Sequence, residues 1–216
     1  MLKNYQNARW FEKLLFSPIL VKKNATHKIA YLGLMTALLI VCNAFLEIKF
    51  IDVQFSVTLF ISMIAGVVLG AGSGFLVCIL GDALGFMISS WGYMYMPWVG
   101  LTSGVTSLIA GFIFYFLKFN FKGSLYVKIV IFCLLSLFVG TIFINSTGFY
   151  FYNYKMFSPA FLDYASYKYG GNSTYFAYVF YRLFFKGQIF NCLFNYALAI
   201  LIIPLFTKTS FYKNAI

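Results

Sequence analysis

Six apolar runs, each near the length of a membrane-crossing helix, succeed one another along this chain at 29–46, 53–70, 74–90, 98–117, 129–149 and 188–206. At 1.5 Å of rise per residue, a helix of about 20 residues spans the roughly 30 Å hydrocarbon core of a bilayer. Hydrophobic residues are 62% of the 216 and charged ones only 10%, too little polar surface for a water-soluble domain of this size. Lipid must be the solvent, and inside lipid a backbone satisfies its own polar groups by forming helices or closed barrels. The expected fold is all-α, a bundle of six transmembrane helices over 29–206, with a basic segment at 1–28 and a tail at 207–216. The connections leave no room for a separate soluble domain.

Basic residues gather on alternate connections. Lys3, Arg9, Lys13, Lys22, Lys23 and Lys28 precede the first run, Lys118, Lys122 and Lys128 follow the fourth, and Lys208 and Lys213 follow the sixth. In a six-span layout these share one side, and cytoplasmic loops are the ones that retain Lys and Arg. Both termini are therefore expected in the cytoplasm of a multi-pass plasma-membrane protein in contact with lipid. The formal charge of +11 reads as this topology signal, not as a nucleic-acid surface. Residues 1–28 lack a compact apolar core followed by a cleavage site, so the first span is expected to be retained. There Leu2, Tyr5, Trp10, Phe11, Leu14 and Leu15 interleave with Lys and Arg, which fits a short interfacial helix or a basic tail.

Asp82 is the one acidic side chain within the clearly apolar stretches, in Gly81-Asp82-Ala83-Leu84-Gly85. An ionised carboxylate at that depth costs roughly 2.5 to 3.5 kcal/mol on insertion scales, so it should face the bundle interior, a cavity or a partner. Catalytic constellations are missing. Ser73 sits between two glycines, but the sole histidine, His27, precedes the first span, which leaves the serine without a base. Gly70, Gly72 and Gly74 read instead as a tight link between spans two and three, with Ser73 a solvated turn residue. Asp82 lacks the second intramembrane carboxylate of an aspartyl protease. Cys42, Cys78, Cys133 and Cys192 each lie within a span without a Cys-x-x-Cys pair, and read as small buried hydrophobes. No catalytic residue, metal or covalently bound cofactor is expected. The chain also carries no Gly-x-x-x-x-Gly-Lys-Ser/Thr loop, so any ATP is used by partner subunits. Matched inverted repeats of a self-contained secondary transporter are not evident.

The block Gly81-Asp82-Ala83-Leu84-Gly85-Phe86, then Gly92, Pro97-Trp98-Val99-Gly100-Leu101-Thr102-Ser103-Gly104 and Leu108-Ile109-Ala110-Gly111, resembles the substrate-binding S components of energy-coupling factor (ECF) vitamin transporters, the folate-type members most of all. The likeness is organised over spans two to four, with looser support from spans one and six. It departs around 91–100, where the spacing is one residue off, and in the aromatic stretch before span six. The resemblance implies a six-helix bundle that captures a vitamin, folate or a related pterin, from outside and releases it inside. Implied partners are an ECF coupling transmembrane subunit and two cytoplasmic ATPase subunits. It also implies docking through small residues of span one, matched here by Ala30, Gly33 and Ala37. Gly33 and Ala37 stand one turn apart on one face, where a helix backbone approaches closely, whether a partner's or one of the bundle's own. Competing readings are an S component for riboflavin, pantothenate or a queuosine precursor, and a ligand-free membrane scaffold.

Candidate substrate-binding residues are Asp82, Trp91, Tyr95, Trp98, Asn145, Arg182 and Gln188. Trp91, Tyr93, Tyr95 and Trp98 cluster between spans three and four, where rings either stack on a flat heteroaromatic ligand or form an interfacial belt. Arg182 and Lys186 are four residues apart, just ahead of Gln188. If the sixth helix begins there, both cations share a face and meet an anionic tail, or else snorkel to headgroups. Asn145, Ser146 and Thr147 add polar groups at the end of span five, lining a cavity or capping the helix. Asp82 either accepts from a ring amino group or holds helices in register. The aromatic stretch 149–181 is long enough to be a gate or an interfacial anchor.

Overall fold

A computed structural model describes residues 10–50, 53–89, 94–117, 119, 121, 123–156 and 175–208. Two short helices, α1 (Trp10–Leu15) and α2 (Pro18–Val21), lead into α3 (Ala25–Phe45). A hairpin of β1 (Glu47–Phe50) and β2 (Val53–Ser56) follows, pairing Glu47 with Ser56 and Phe50 with Val53 in antiparallel register. Then come α4 (Thr58–Leu69), α5 (Ala71–Ile88), α6 (Pro97–Phe116) and α7 (Ser124–Leu135). The last of these continues through a π-helical segment (Ser136–Ser146) into α8 (Thr147–Met156). Finally α9 (Tyr175–Phe180) and a π-helical turn (Tyr181–Phe185) precede α10 (Gln188–Lys208). Among the described residues, five helical stretches are long and apolar enough to cross a membrane, and α4 is a shorter apolar one. The bundle is all-α apart from the two-stranded hairpin.

Span two departs from expectation. Its first residues, Val53–Ser56, are strand, and the helix begins only at Thr58. Twelve residues extend about 18 Å, well short of a bilayer core, and eleven of the twelve are buried. This helix is wrapped by the others, so its ends lie where unpaired backbone groups are costly. Each end is accordingly wired. At the C-terminus, Ser17 donates from Oγ to the Val68 carbonyl at 2.6 Å and from its backbone N–H to the Leu69 carbonyl at 2.7 Å. The Tyr115 hydroxyl donates to the Val67 carbonyl. At the N-terminus, the Phe60 N–H donates to Asn195 Oδ1 at 2.9 Å.

The link between α4 and α5 is also tighter than expected. A single residue, Gly70, makes it, with φ of 107°, a left-handed conformation that glycine adopts without penalty. Ser73 is not a solvated turn residue: it lies in α5, is buried, and donates to the Leu69 and Leu15 carbonyls at 2.8 Å each. The segment ahead of α3 is thus neither a free tail nor a purely interfacial helix over 10–21, since Ser17, Ile19 and Leu20 are buried against the end of α4. Trp10 projects outward, 77% exposed.

Helix α6 packs against α4, α5 and the π-helical segment, while α5 also packs against α3. Small residues make these crossings close, as is usual where lipid removes the hydrophobic drive between helices. A Cβ on Gly66 would overlap the Ser107 carbonyl, and one on Gly111 would overlap the backbone of Ala71. Outward-facing Leu80, Phe138, Phe143 and Leu201 are exposed, a surface suited to lipid. The native cysteines are buried or half-buried, so single cysteines placed at the exposed positions Lys23 and Met94 report topology. A membrane-impermeant thiol reagent is expected to label them from opposite sides, and labelling from one side would remove this layout.

Candidate ligand-binding cavity

Because the crossing helices alternate in direction, the ends of α3, α5 and the π-helical segment meet the beginnings of α4, α6 and α10. They surround a cavity of about 420 Å³, within the roughly 300 to 1,000 Å³ usual for small-molecule sites. The opposite end is the one that α1 and α2 close at Gly70. Asp82 and Arg182 are the two charged residues in the described lining, among Asn43, Thr58, Tyr95, Thr102, Asn145, Gln188 and Asn191, with Phe86 and Phe149 as aromatic walls.

Asp82 is 8% exposed. Asn43 Nδ2 donates to its Oδ1 at 3.3 Å and the Tyr95 hydroxyl to its Oδ2 at 3.2 Å. Asn43 Oδ1 in turn accepts from Thr58 Oγ1 at 2.7 Å, which ties α3, α4 and α5 to one carboxylate. Burial, and then the Asp82 charge, push the Tyr95 phenol up to about 12, so it remains a donor at ordinary pH. Gly100 makes room for this contact, since a Cβ there would stand 2.8 Å from Asp82 Oδ2 and 3.0 Å from the Tyr95 oxygen. Tyr95 also packs on Phe86, with ring centroids 5.2 Å apart.

Arg182 occupies the π-helical turn before α10. Its guanidinium carbon lies 3.5 Å from the centroid of Phe149, and Nη2 donates to Asn145 Oδ1 at 3.3 Å. Its buried Nε has no hydrogen-bond partner among the described residues. The sixth helix does not begin at Arg182, however. Gly187, with φ of 66°, separates from Gln188 the turn that holds Arg182 and that Lys186 caps at its C-terminal end. Lys186 is exposed and outside the lining.

Of the expected set, Asp82, Tyr95, Asn145, Arg182 and Gln188 line the cavity. Trp98 does not: its indole packs behind the wall on Phe149 and Tyr152, at centroid distances of 5.5 and 5.4 Å. Trp91 and Tyr93 lie outside the described residues, as does 157–174 of the stretch read as a gate. Sequence reasoning passed over Asn43, Thr58, Phe86, Thr102, Phe149 and Asn191. The asparagines carried a signal, because an amide inside an apolar run needs partners there. On α3, Ala30, Gly33 and Ala37 are exposed, and a Cβ on Gly33 would meet nothing within 4 Å. That face is not used to pack the described bundle.

Among the described residues no group of three His, Cys, Asp or Glu side chains gathers for a metal. Fold and site together define a multi-pass membrane bundle with a ligand-sized, mixed polar and aromatic cavity at one end. Residues 23–209 match the family described as ECF-type riboflavin transporter, S component, and the chain belongs to that family. No curated protein and no solved structure matches it. The resemblance to ECF S components therefore holds at the level of the family, whose description names riboflavin where the sequence motifs pointed to folate-type members. An S component is a transport subunit, not an enzyme.

Proposed function

We propose that this chain captures a vitamin with a flat fused-ring system at the outer face of the cell membrane, for ATP-driven uptake. The observation that carries the reading is the cavity itself, with Asp82 and Arg182 set among asparagines and aromatic rings in one ligand-sized space. Riboflavin is the first candidate, supported by the family description and by Phe86, Tyr95 and Phe149 as surfaces for a planar ring. Folate or a related pterin is the second, supported by the buried Nε of Arg182, which has no partner among the described residues and suits a carboxylate tail. Purification from membranes followed by mass spectrometry of the extracted ligand, with riboflavin and folate then titrated against each other, tests the reading. Finding no ligand, and binding of neither, would favour a scaffold.

Both termini lie in the cytoplasm in this proposal, and an ECF coupling subunit with two cytoplasmic ATPase subunits energises release. The exposed Ala30, Gly33 and Ala37 face of α3 is the docking surface. Gly33→Leu and Ala37→Leu are expected to abolish copurification with the coupling subunit and vitamin uptake, while the isolated chain binds its vitamin unchanged. Equal loss of binding by the isolated chain would place these residues in the bundle's own packing.

A further inference from the structure

Backbone chemistry decides which way the amides of this cavity point. The Ser56 N–H donates to Asn191 Oδ1 at 3.0 Å. A backbone N–H only donates, so the oxygen of Asn191 must face the junction of β2 and α4. Asn195, one turn along α10, donates from Nδ2 to the Ser56 carbonyl at 2.7 Å and to Asn191 Oδ1 at 3.2 Å, while its own Oδ1 takes the Phe60 N–H at 2.9 Å. Both amides are thus oriented without any ligand. The oxygen of Asn191 is consumed, and its Nδ2, which has no partner among the described residues, is what a residue of the lining has left to offer the cavity.

Asn145 repeats the pattern, for its Oδ1 accepts from the Arg182 guanidinium, another obligate donor, and its Nδ2 has no partner among the described residues. Thr141 Oγ1 and Cys192 Sγ are 3.4 Å apart, so Asn145 and Asn191 stand on adjoining helices. With the Nε of Arg182, which has no partner among the described residues, these three side chains offer the cavity donors, while the Gln188 amide beside them can turn either end to a ligand. Asn43 is different, since its oxygen is spent on Thr58 and its nitrogen on Asp82.

We propose that Asn191 is a specificity-determining donor and Asn195 the positioning residue that aims it, so that the ligand edge against α10 and the π-helical segment presents acceptors: carbonyl oxygens, ring nitrogens or a carboxylate. This rests on the reading of the cavity as the vitamin site. A ligand N–H placed against Asn191 is rejected, because donor would face donor and both would stay unpaired. The β1–β2 hairpin, through Ser56, is thereby part of the recognition apparatus although its own backbone need not touch the ligand.

The test uses the purified full chain and riboflavin, read by quenching of flavin fluorescence, with 2-thio- and 4-thioriboflavin beside it because sulfur is a poor acceptor. If the wild type takes folate instead, the same variants are titrated with folate and with analogues altered at the ring carbonyl. Asn191→Asp keeps an oxygen for the Ser56 N–H but replaces the donor with a second acceptor and brings a negative charge into a site only 6% exposed. In protein shown by size exclusion to be folded, it is expected to lose at least about tenfold in affinity and to lose the wild type's discrimination against a thio analogue, and the uncharged Asn191→Leu, which lacks the donor without adding a charge, is expected to lose the same discrimination. Asn195→Asp, which keeps the acceptor for Phe60 but sets a carboxylate oxygen against the Ser56 and Asn191 carbonyls, is expected to lower the thermal midpoint and, in the protein that remains folded, to lose the same discrimination while still binding riboflavin, a split between affinity and discrimination that marks a positioning role. Wild-type affinity and discrimination in Asn191→Asp, beside clear loss in Arg182→Ala, would overturn this inference and leave the cavity reading standing. Unchanged binding in both would overturn the cavity reading itself.

Discussion

Arg182→Ala is expected to weaken binding of the captured vitamin at least about tenfold, equivalent to about 1.4 kcal/mol. The guanidinium is stacked on Phe149 and anchored to Asn145 through Nη2, and its Nε is buried without a partner among the described residues. A group so placed has already lost its water, so a ligand acceptor gains a charge-assisted bond without a further desolvation cost at that atom. Asp82→Asn is expected to weaken binding less, because the carboxylate is already engaged by Asn43 and Tyr95. Raising the salt should matter little in an enclosed site, since screening acts mainly on exposed charges. Calorimetry on folded protein is the measurement. Wild-type affinity in Arg182→Ala would remove the guanidinium from recognition and, with it, the folate reading.

Gly66→Val is expected to prevent assembly of the bundle. The added Cβ would overlap the carbonyl of Ser107 on α6, and a backbone carbonyl in a packed helix cannot move aside as a flexible side chain does. The helix that would have to yield is α4, buried on eleven of its twelve residues and tied at both ends. Overpacking of this kind costs about 3 kcal/mol, at the upper end of its usual range, which is a large share of a typical folding free energy. Detergent-solubilised Gly66→Val should aggregate on size exclusion or show a strongly lowered thermal midpoint. Gly33→Val is the matched control: its Cβ meets nothing within 4 Å, so the isolated chain should remain folded. Equal stability of the two variants would contradict the close α4–α6 crossing.

Much of this molecule was legible in its residues. Apolar runs of about 20 residues require a membrane and helices within it, because lipid offers backbone groups no other partner. The cost of an intramembrane carboxylate marked Asp82 as facing inward before any contact was known, and it is 8% exposed within the lining of the cavity. The Gly-Asp block of span three and the aromatic and proline-bearing block after it pointed to the S-component family that residues 23–209 match.

Other features depended on residues far apart in the chain. Hydropathy alone cannot separate a crossing helix from one wrapped by its neighbours, so 53–70 read as a full span until Ser17, Tyr115 and Asn195 were seen closing the ends of a 12-residue helix. Spacing placed Arg182 and Lys186 at the start of the sixth helix, but they belong to a separate π-helical turn and its C-cap, which end ahead of Gly187, and of the two only Arg182 lines the cavity. Composition determined the solvent, the helical class and the one costly carboxylate, because those follow from transfer free energies that each residue carries with it. Tertiary structure alone decided which amide oxygens are consumed and which nitrogens are left for a ligand, because a hydrogen bond such as that from Ser56 to Asn191 joins residues 135 positions apart and exists only once the helices have packed.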